Sequence, residues 1–174
     1  LLNPQSVIAF DLDGDGDLDI ITASMNDDKV VWYENDGNQI FTEQVISADS
    51  DGPFSIHVVD LDEDGDMDVL AACKDSDKVV WYENDGNQVF MEQVISSNTF
   101  NVLDVFSVDV DGDGDIDVLS ASSEDNKVAW YENDGNQIFT EQVISTNANG
   151  VRPVYATDLD GDGDIDVISG SVGD

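Results

Sequence analysis

Aspartate occupies every second position in four nine-residue stretches of this chain, and each stretch carries glycine at its sixth position. The stretches recur every 49 residues. Positions 1, 3, 5, 7 and 9 are Asp11, Asp13, Asp15, Asp17 and Asp19 in the first, and Asp60, Asp62, Asp64, Asp66 and Asp68 in the second. They are Asp109, Asp111, Asp113, Asp115 and Asp117 in the third, and Asp158, Asp160, Asp162, Asp164 and Asp166 in the fourth. Five carboxylates this close repel one another unless a cation sits among them. A hard ion such as Ca²⁺ takes roughly six to eight oxygens at about 2.3–2.6 Å, and alternate side chains of a tightly turned loop converge on a common centre. The glycines at position 6 (Gly16, Gly65, Gly114 and Gly163) permit the sharp turn. A merely solvated acidic turn would demand neither the glycine nor the alternation. The expectation is one Ca²⁺ per loop, four per chain. Positions 1, 3, 5 and 9 would ligate through side chains and position 7 through its backbone carbonyl.

The segments that carry these loops are short and β-branched. An EF-hand would place a bidentate glutamate at position 12 and helices on either side. Here position 12 is Thr22, Ala71, Ser120 or Ser169, and the first loop lies between Val7-Ile8-Ala9-Phe10 and Ile20-Ile21-Thr22-Ala23. Such flanks read as a β-hairpin. A second landmark, Trp-Tyr-Glu-Asn-Asp-Gly-Asn, stands at 32–38, 81–87 and 130–136. Each unit then reads as four strands, in the first copy Ser6 to Phe10, Leu18 to Ser24, Lys29 to Glu34 and Gln39 to Ile46. The last two are joined by an Asp36-Gly37 turn suited to a tight hairpin.

A four-stranded antiparallel unit repeated every 49 residues predicts an all-β chain forming blades of a β-propeller. Residues 1–174 form a single repeat domain, with blades at 1–49, 50–98 and 99–147 and a half blade at 148–174. Trp32, Tyr33 and Phe41 are large enough to fill the space between sheets, and their repetition in every unit favours that over a sugar-binding platform. Cys73 falls in register with Ser24, Ser122 and Ser171, and so reads as core filler. His57 aligns with Ile8, Phe106 and Tyr155, a bulky strand position and not a general base.

With 40 acidic against 5 basic residues the net charge is −35, which disfavours nucleic acid and simple membrane-surface binding. Hydrophobic residues make up 40% of the chain in recurring short runs, which opposes disorder. No run approaches the roughly 18 apolar residues of a membrane span. The chain starts at Leu1 without methionine, as a processed form or an excised piece would, and is silent about targeting.

The run Asp-Leu-Asp-Gly-Asp-Gly-Asp-x-Asp followed by a Trp-Tyr-Glu-Asn-Asp-Gly strand resembles the FG-GAP, or VCBS-type, repeats of bacterial surface proteins. These are related to the calcium-binding blades of the integrin α-subunit propeller. The literal Phe-Gly…Gly-Ala-Pro signature is missing. The resemblance covers essentially the whole chain and implies a propeller used in adhesion or recognition, with calcium as a structural ion. The family's ligand positions fall on Asp11, Asp13, Asp15, Asp17 and Asp19 and on their counterparts 49, 98 and 147 residues later.

The function expected is therefore a non-enzymatic calcium-binding scaffold, extracellular or at the cell surface, where calcium is abundant enough to fill such loops. Antiparallel connectivity puts the acidic loops and Asn-Asp-Gly turns on one face. On the other lie the connections that differ between units, such as 48–53 and 97–102, with Gln5, Phe54, Leu103 and Arg152. A protein or glycan ligand is expected on that second face. Competing readings are a lectin-like propeller and part of a polysaccharide lyase. The lyase lacks an obvious site, with one histidine, one arginine and carboxylates committed to metal. Three and a half blades do not close a ring, so the missing blades would come from a longer chain or from self-association.

Overall fold

The computed structural model describes residues 1–172. Its strands pair in sequence order into three four-stranded antiparallel sheets and a final two-stranded hairpin. The first sheet holds β1 (Pro4–Phe10), β2 (Asp19–Ser24), β3 (Lys29–Asn35) and β4 (Phe41–Ser47). The second holds β5 (Pro53–Val59), β6 (Asp68–Cys73), β7 (Lys78–Asn84) and β8 (Phe90–Ser96). The third holds β9 (Val102–Val108), β10 (Asp117–Ser122), β11 (Lys127–Asn133) and β12 (Phe139–Ser145), and the hairpin holds β13 (Val154–Thr157) and β14 (Asp166–Ser169). The first strands of successive sheets, β1, β5, β9 and β13, lie side by side at the inner edge. This is the arrangement of an incomplete propeller, as the 49-residue period predicts. No helix among the described residues is long and apolar enough to cross a membrane.

The core consists of three layers, each between two consecutive sheets. Leu12, Ile21, Val30, Trp32 and Ile46 of the first sheet meet Ile56, Val69, Val80 and Tyr82 of the second. Leu61, Leu70, Val79 and Trp81 then meet Val102, Val105, Val118 and Tyr131 of the third. Leu119, Val128 and Phe106 meet Val154, Ala156 and Val167 of the hairpin. Because side chains alternate along a strand, each tryptophan faces the following sheet and the adjacent tyrosine faces the preceding one. This corrects one expectation. Trp32 fills an intersheet layer, but Tyr33 and Phe41 project from the side of the first sheet that has no neighbour, and Phe41 is 45% exposed. Their counterparts Tyr82 and Tyr131 are fully buried, and Phe90 and Phe139 pack against the layer behind them. Cys73 is buried in the first layer, as its register with serines predicts, and burial pushes its thiol up to about 12.

Polar links tie the sheets to one another. Asp104 on β9 accepts hydrogen bonds from Ser55 Oγ on β5 (2.6 Å) and from Val154 N on β13 (2.9 Å), so one carboxylate spans three units. Beside it runs a ladder of rings: His57 lies edge-on to Phe106 at 4.9 Å, and Phe106 meets Tyr155 at 4.8 Å. His57 is thus a packing residue, in keeping with its register.

The two faces separate as the connectivity requires, but the variable face is not all display. Asp28, Asp77 and Asn126 occupy the left-handed region in the turns between second and third strands. Each receives the loop leading to the next sheet. Asp28 takes Ser50 N on its carbonyl and Gly52 N on its carboxylate, both at 2.9 Å; Asp77 takes the Thr99 hydroxyl on its carbonyl and Asn101 N on its carboxylate, and Asn126 takes Ala148 N on its carbonyl and Gly150 N on its amide oxygen. Ser50, Thr99 and Ala148 are accordingly buried hinge residues inside the variable connections expected to carry the recognition surface.

Candidate metal centre

Each acidic loop first folds upon itself. The position-1 carboxylate accepts the N–H of the position-6 glycine, at 3.0 Å for Asp11 and Gly16 and for Asp60 and Gly65, and at 3.1 Å in the other two loops. Position 3 accepts from the N–H of position 5, and position 5 from that of position 7. Gly16, Gly65, Gly114 and Gly163 have φ between +96° and +106°. An added Cβ there would meet open space, so the backbone angle and not crowding requires glycine.

Position 9 joins the loop to its blade. Asp19 is fully buried; its Oδ2 accepts Leu12 N at 3.1 Å and its Oδ1 accepts Asn35 N, at the end of β3, at 2.8 Å. Asp68 bonds Leu61 N and Asn84 N likewise, and Asp117 bonds Val110 N and Asn133 N. The same asparagines then donate their side-chain Nδ2 to the carbonyls of Leu18, Met67 and Ile116, each at 3.1 Å. This asparagine clamp was not anticipated from sequence, although its recurrence within the aromatic motif at 35, 84 and 133 was the available signal. Position 7 points elsewhere: the carboxylates of Asp17, Asp66 and Asp115 press on Gly37, Gly86 and Gly135 of the neighbouring turn, where a Cβ at residue 135 would sit 2.6 Å from Asp115 Oδ2. That direction leaves position 7 only its carbonyl to offer the loop centre.

The structure gathers three carboxylates per loop with oxygens within 4.8 Å of one another. They are Asp11, Asp13 and Asp15 in the first loop, then Asp60, Asp62 and Asp68, Asp109, Asp111 and Asp117, and Asp158, Asp160 and Asp166. The side chains of Asp64, Asp113 and Asp162 lie outside these groups, as does that of Asp19. In the first two loops one position-1 oxygen, Oδ1 of Asp11 and of Asp60, is buried without any hydrogen-bond partner. Such an atom is costly in a protein interior unless a cation or donor reaches it. All the gathered donors are hard oxygens, the chemistry that suits calcium or magnesium.

Electrostatics point the same way. Burial raises the pKa of Asp13, and the charges of Asp15, Asp19 and Asp11 add to it. Burial and the charges of Asp64, Asp60 and Glu83 raise Asp62. Asp68 is pushed up to about 6 by burial, with a small further push from Asp62, although the backbone N–H groups of Asn84 and Leu61 oppose the shift. The Trp81 indole N–H makes no hydrogen bond of normal geometry, yet it lies close enough to Asp68 to lower it as well. A divalent ion at the centre would reverse the repulsive contributions.

The sequence profile described as FG-GAP-like repeat matches three overlapping segments, residues 11–71, 61–120 and 109–169. No curated protein matches. Among solved structures, the crystal structure of the V. cholerae biofilm matrix protein Bap1 superposes with a TM-score of 0.57 at 19% identity. The match covers 97% of this chain but 28% of that one, and at this identity it speaks for the fold alone.

Proposed function

Because the chain belongs to the FG-GAP-like repeat family, we propose that it is a calcium-stabilised propeller module serving structural support and recognition outside the cell, not catalysis. The observation that carries this reading is the loop geometry: closed Asp turns with three gathered carboxylates each, in which the buried Asp11 Oδ1 and Asp60 Oδ1 have no hydrogen-bond partner. Positions 1, 3, 5 and 9 would supply side-chain oxygens and position 7 its carbonyl, at Asp11, Asp13, Asp15, Asp17 and Asp19 and the corresponding residues of the other loops. Each carboxylate oxygen of position 9 keeps a free lone pair after accepting its backbone N–H group, so the side chain can serve both loop and ion. The metal's contribution is charge neutralisation and cross-linking of loop to blade.

We place the module outside the cell because calcium loops of micromolar or weaker affinity fill reliably there, where calcium is near millimolar. The biofilm-matrix role named for Bap1 is compatible with it. Catalysis is disfavoured by the placement of the single histidine in a ring ladder and of the carboxylates in loop closure. The unmatched side of the first sheet, with Tyr33 and Phe41, would be covered by further blades or a second copy.

The test is a urea titration with and without Ca²⁺, paired with calorimetric counting of sites. Ca²⁺ at a thousandfold excess over Kd adds about 4 kcal/mol per site, so the midpoint should rise sharply. Equal midpoints would end this reading.

A further inference from the structure

Of the five cations in this chain, three are repeat residues: Lys29, Lys78 and Lys127 share one register at the start of β3, β7 and β11. Lys127 is fully engaged, bonding Glu141 and the Asn98 carbonyl with Asp125 nearby. The other two, Lys74 and Arg152, belong to no repeat pattern, yet both line one cleft of about 520 Å³ on the face opposite the acidic loops. Neither makes an ion pair or a side-chain hydrogen bond among the described residues. That is unexpected in a chain with 40 acids. It occurs because none of the nine described residues lining the cleft is acidic.

The inner strands build this cleft. Gln5, Phe54 and Leu103 stand at equivalent positions 49 residues apart, each at a register shift of its inner strand, and Arg152 takes the same position before β13. A bulge turns a side chain out of the regular alternation. Three bulge residues and Arg152, four different side chains in one repeat position, thus line one site on an otherwise repetitive scaffold. Asn101 adds an amide, held in place by its backbone bond to Asp77 Oδ1 and its side-chain bond to Ser123.

We propose that this cleft binds a carboxylate, gripped by Arg152 and Lys74, with Phe54 and Leu103 against the apolar part of the ligand and Gln5 and Asn101 on its polar groups. A guanidinium fork matches a carboxylate in two parallel hydrogen bonds. The surrounding field favours a single negative charge over a phosphate dianion or a polyanion, which the rest of the −35 surface repels more strongly. The carboxylate belongs to a uronic acid sugar or to an acidic or terminal amino acid. This deepens the recognition half of the proposed function and rests on it; the calcium half is independent.

The experiment is NMR or calorimetric titration of the whole chain in millimolar Ca²⁺ with glucuronate, N-acetylglycine and methyl glucoside. The two carboxylates separate sugar from peptide sources and the third probe is neutral. Circular dichroism and urea midpoints on the same samples report folding and calcium stabilisation separately. At least one carboxylate should bind, methyl glucoside should not, and Arg152→Gln or Lys74→Gln should each weaken binding roughly tenfold or more, whereas Lys29→Gln should leave it unchanged. The proposal is overturned if no carboxylate binds the folded protein, or if binding survives both substitutions. It is equally overturned if binding disappears on chelation while the fold persists, because the ligand would then sit on calcium.

Discussion

The first three acidic loops and the fourth have nearly the same sequence but different support. Asp19, Asp68 and Asp117 are buried and hold two backbone N–H groups each, one from their own loop and one from the third strand of the blade. Asp166 is exposed and holds only Leu159 N, since no third strand follows it among the described residues. The same aspartate pattern thus sits in loops of unequal support. The fourth hairpin is secured from the inside instead, through the Asp104 bond to Val154 N and the ring of Tyr155. The difference teaches that the supply of carboxylates is a property of the nine residues, whereas how firmly they are held is a property of the blade.

The sharpest way to break this comparison is to remove position 9 from both kinds of loop. In EDTA, where the loss of an ion ligand does not enter, Asp68→Ala strands two buried N–H groups and should cost about 3 kcal/mol or more, whereas Asp166→Ala, which frees one N–H at an exposed site, should cost under about 1 kcal/mol. Equal losses in denaturant titration would mean that the clamp is irrelevant. Next in size, Asp104→Ala should cost about 2 kcal/mol and, by hydrogen exchange, free β13 and β14 well before the other strands. Exchange that accelerates uniformly would show that the hairpin is held by something else.

A smaller effect sharpens the comparison among the four acidic loops. Position 4 is Gly14, Gly112 and Gly161 with φ of 73–81°, but Glu63 adopts φ 59° in the second loop. Glu63→Gly should therefore stabilise by about 1 kcal/mol; no gain would show that Glu63 contributes an offsetting contact. The smallest effect concerns the ladder. Burial holds the His57 pKa below its ordinary 6.5, partly opposed by Asp104. The unfolded chain takes up this proton first as pH falls through that value, so stability is present above it and lost below. His57→Phe should keep the ring stack and flatten the stability profile between pH 7 and 5; an unchanged slope would place the titration elsewhere.

Period and alternation made the strands legible in sequence to within two residues, as Lys29 to Glu34 against the observed Lys29–Asn35 shows. Of the carboxylates the spacing nominates, positions 1 and 3 gather in every loop, joined by position 5 in the first and by position 9 in the other three. What alternation cannot tell is which neighbouring sheet each side of a strand will meet, and so Phe41 was assigned to a layer that its blade lacks. The Asn35 clamp was hidden for a related reason: it acts through a backbone N–H 16 residues from the carboxylate it holds, and no side-chain chemistry announces that. The hinge role of Ser50 and Thr99 likewise depends on a left-handed turn more than 20 residues earlier in the chain.

The path of the chain also sets how a blade would respond to tension. The first strand enters and the fourth leaves at the same face, because an even number of antiparallel strands returns the chain to its starting side. A pull transmitted along the polypeptide therefore peels ladder hydrogen bonds successively, as a zipper opens, and does not load them all in parallel. The acidic loops lie at the far end of that zipper. A bound ion there would be the last rivet to yield, setting the extension at which a blade gives way and leaving the onset of peeling to the hinge contacts of Asp28, Asp77 and Asn126.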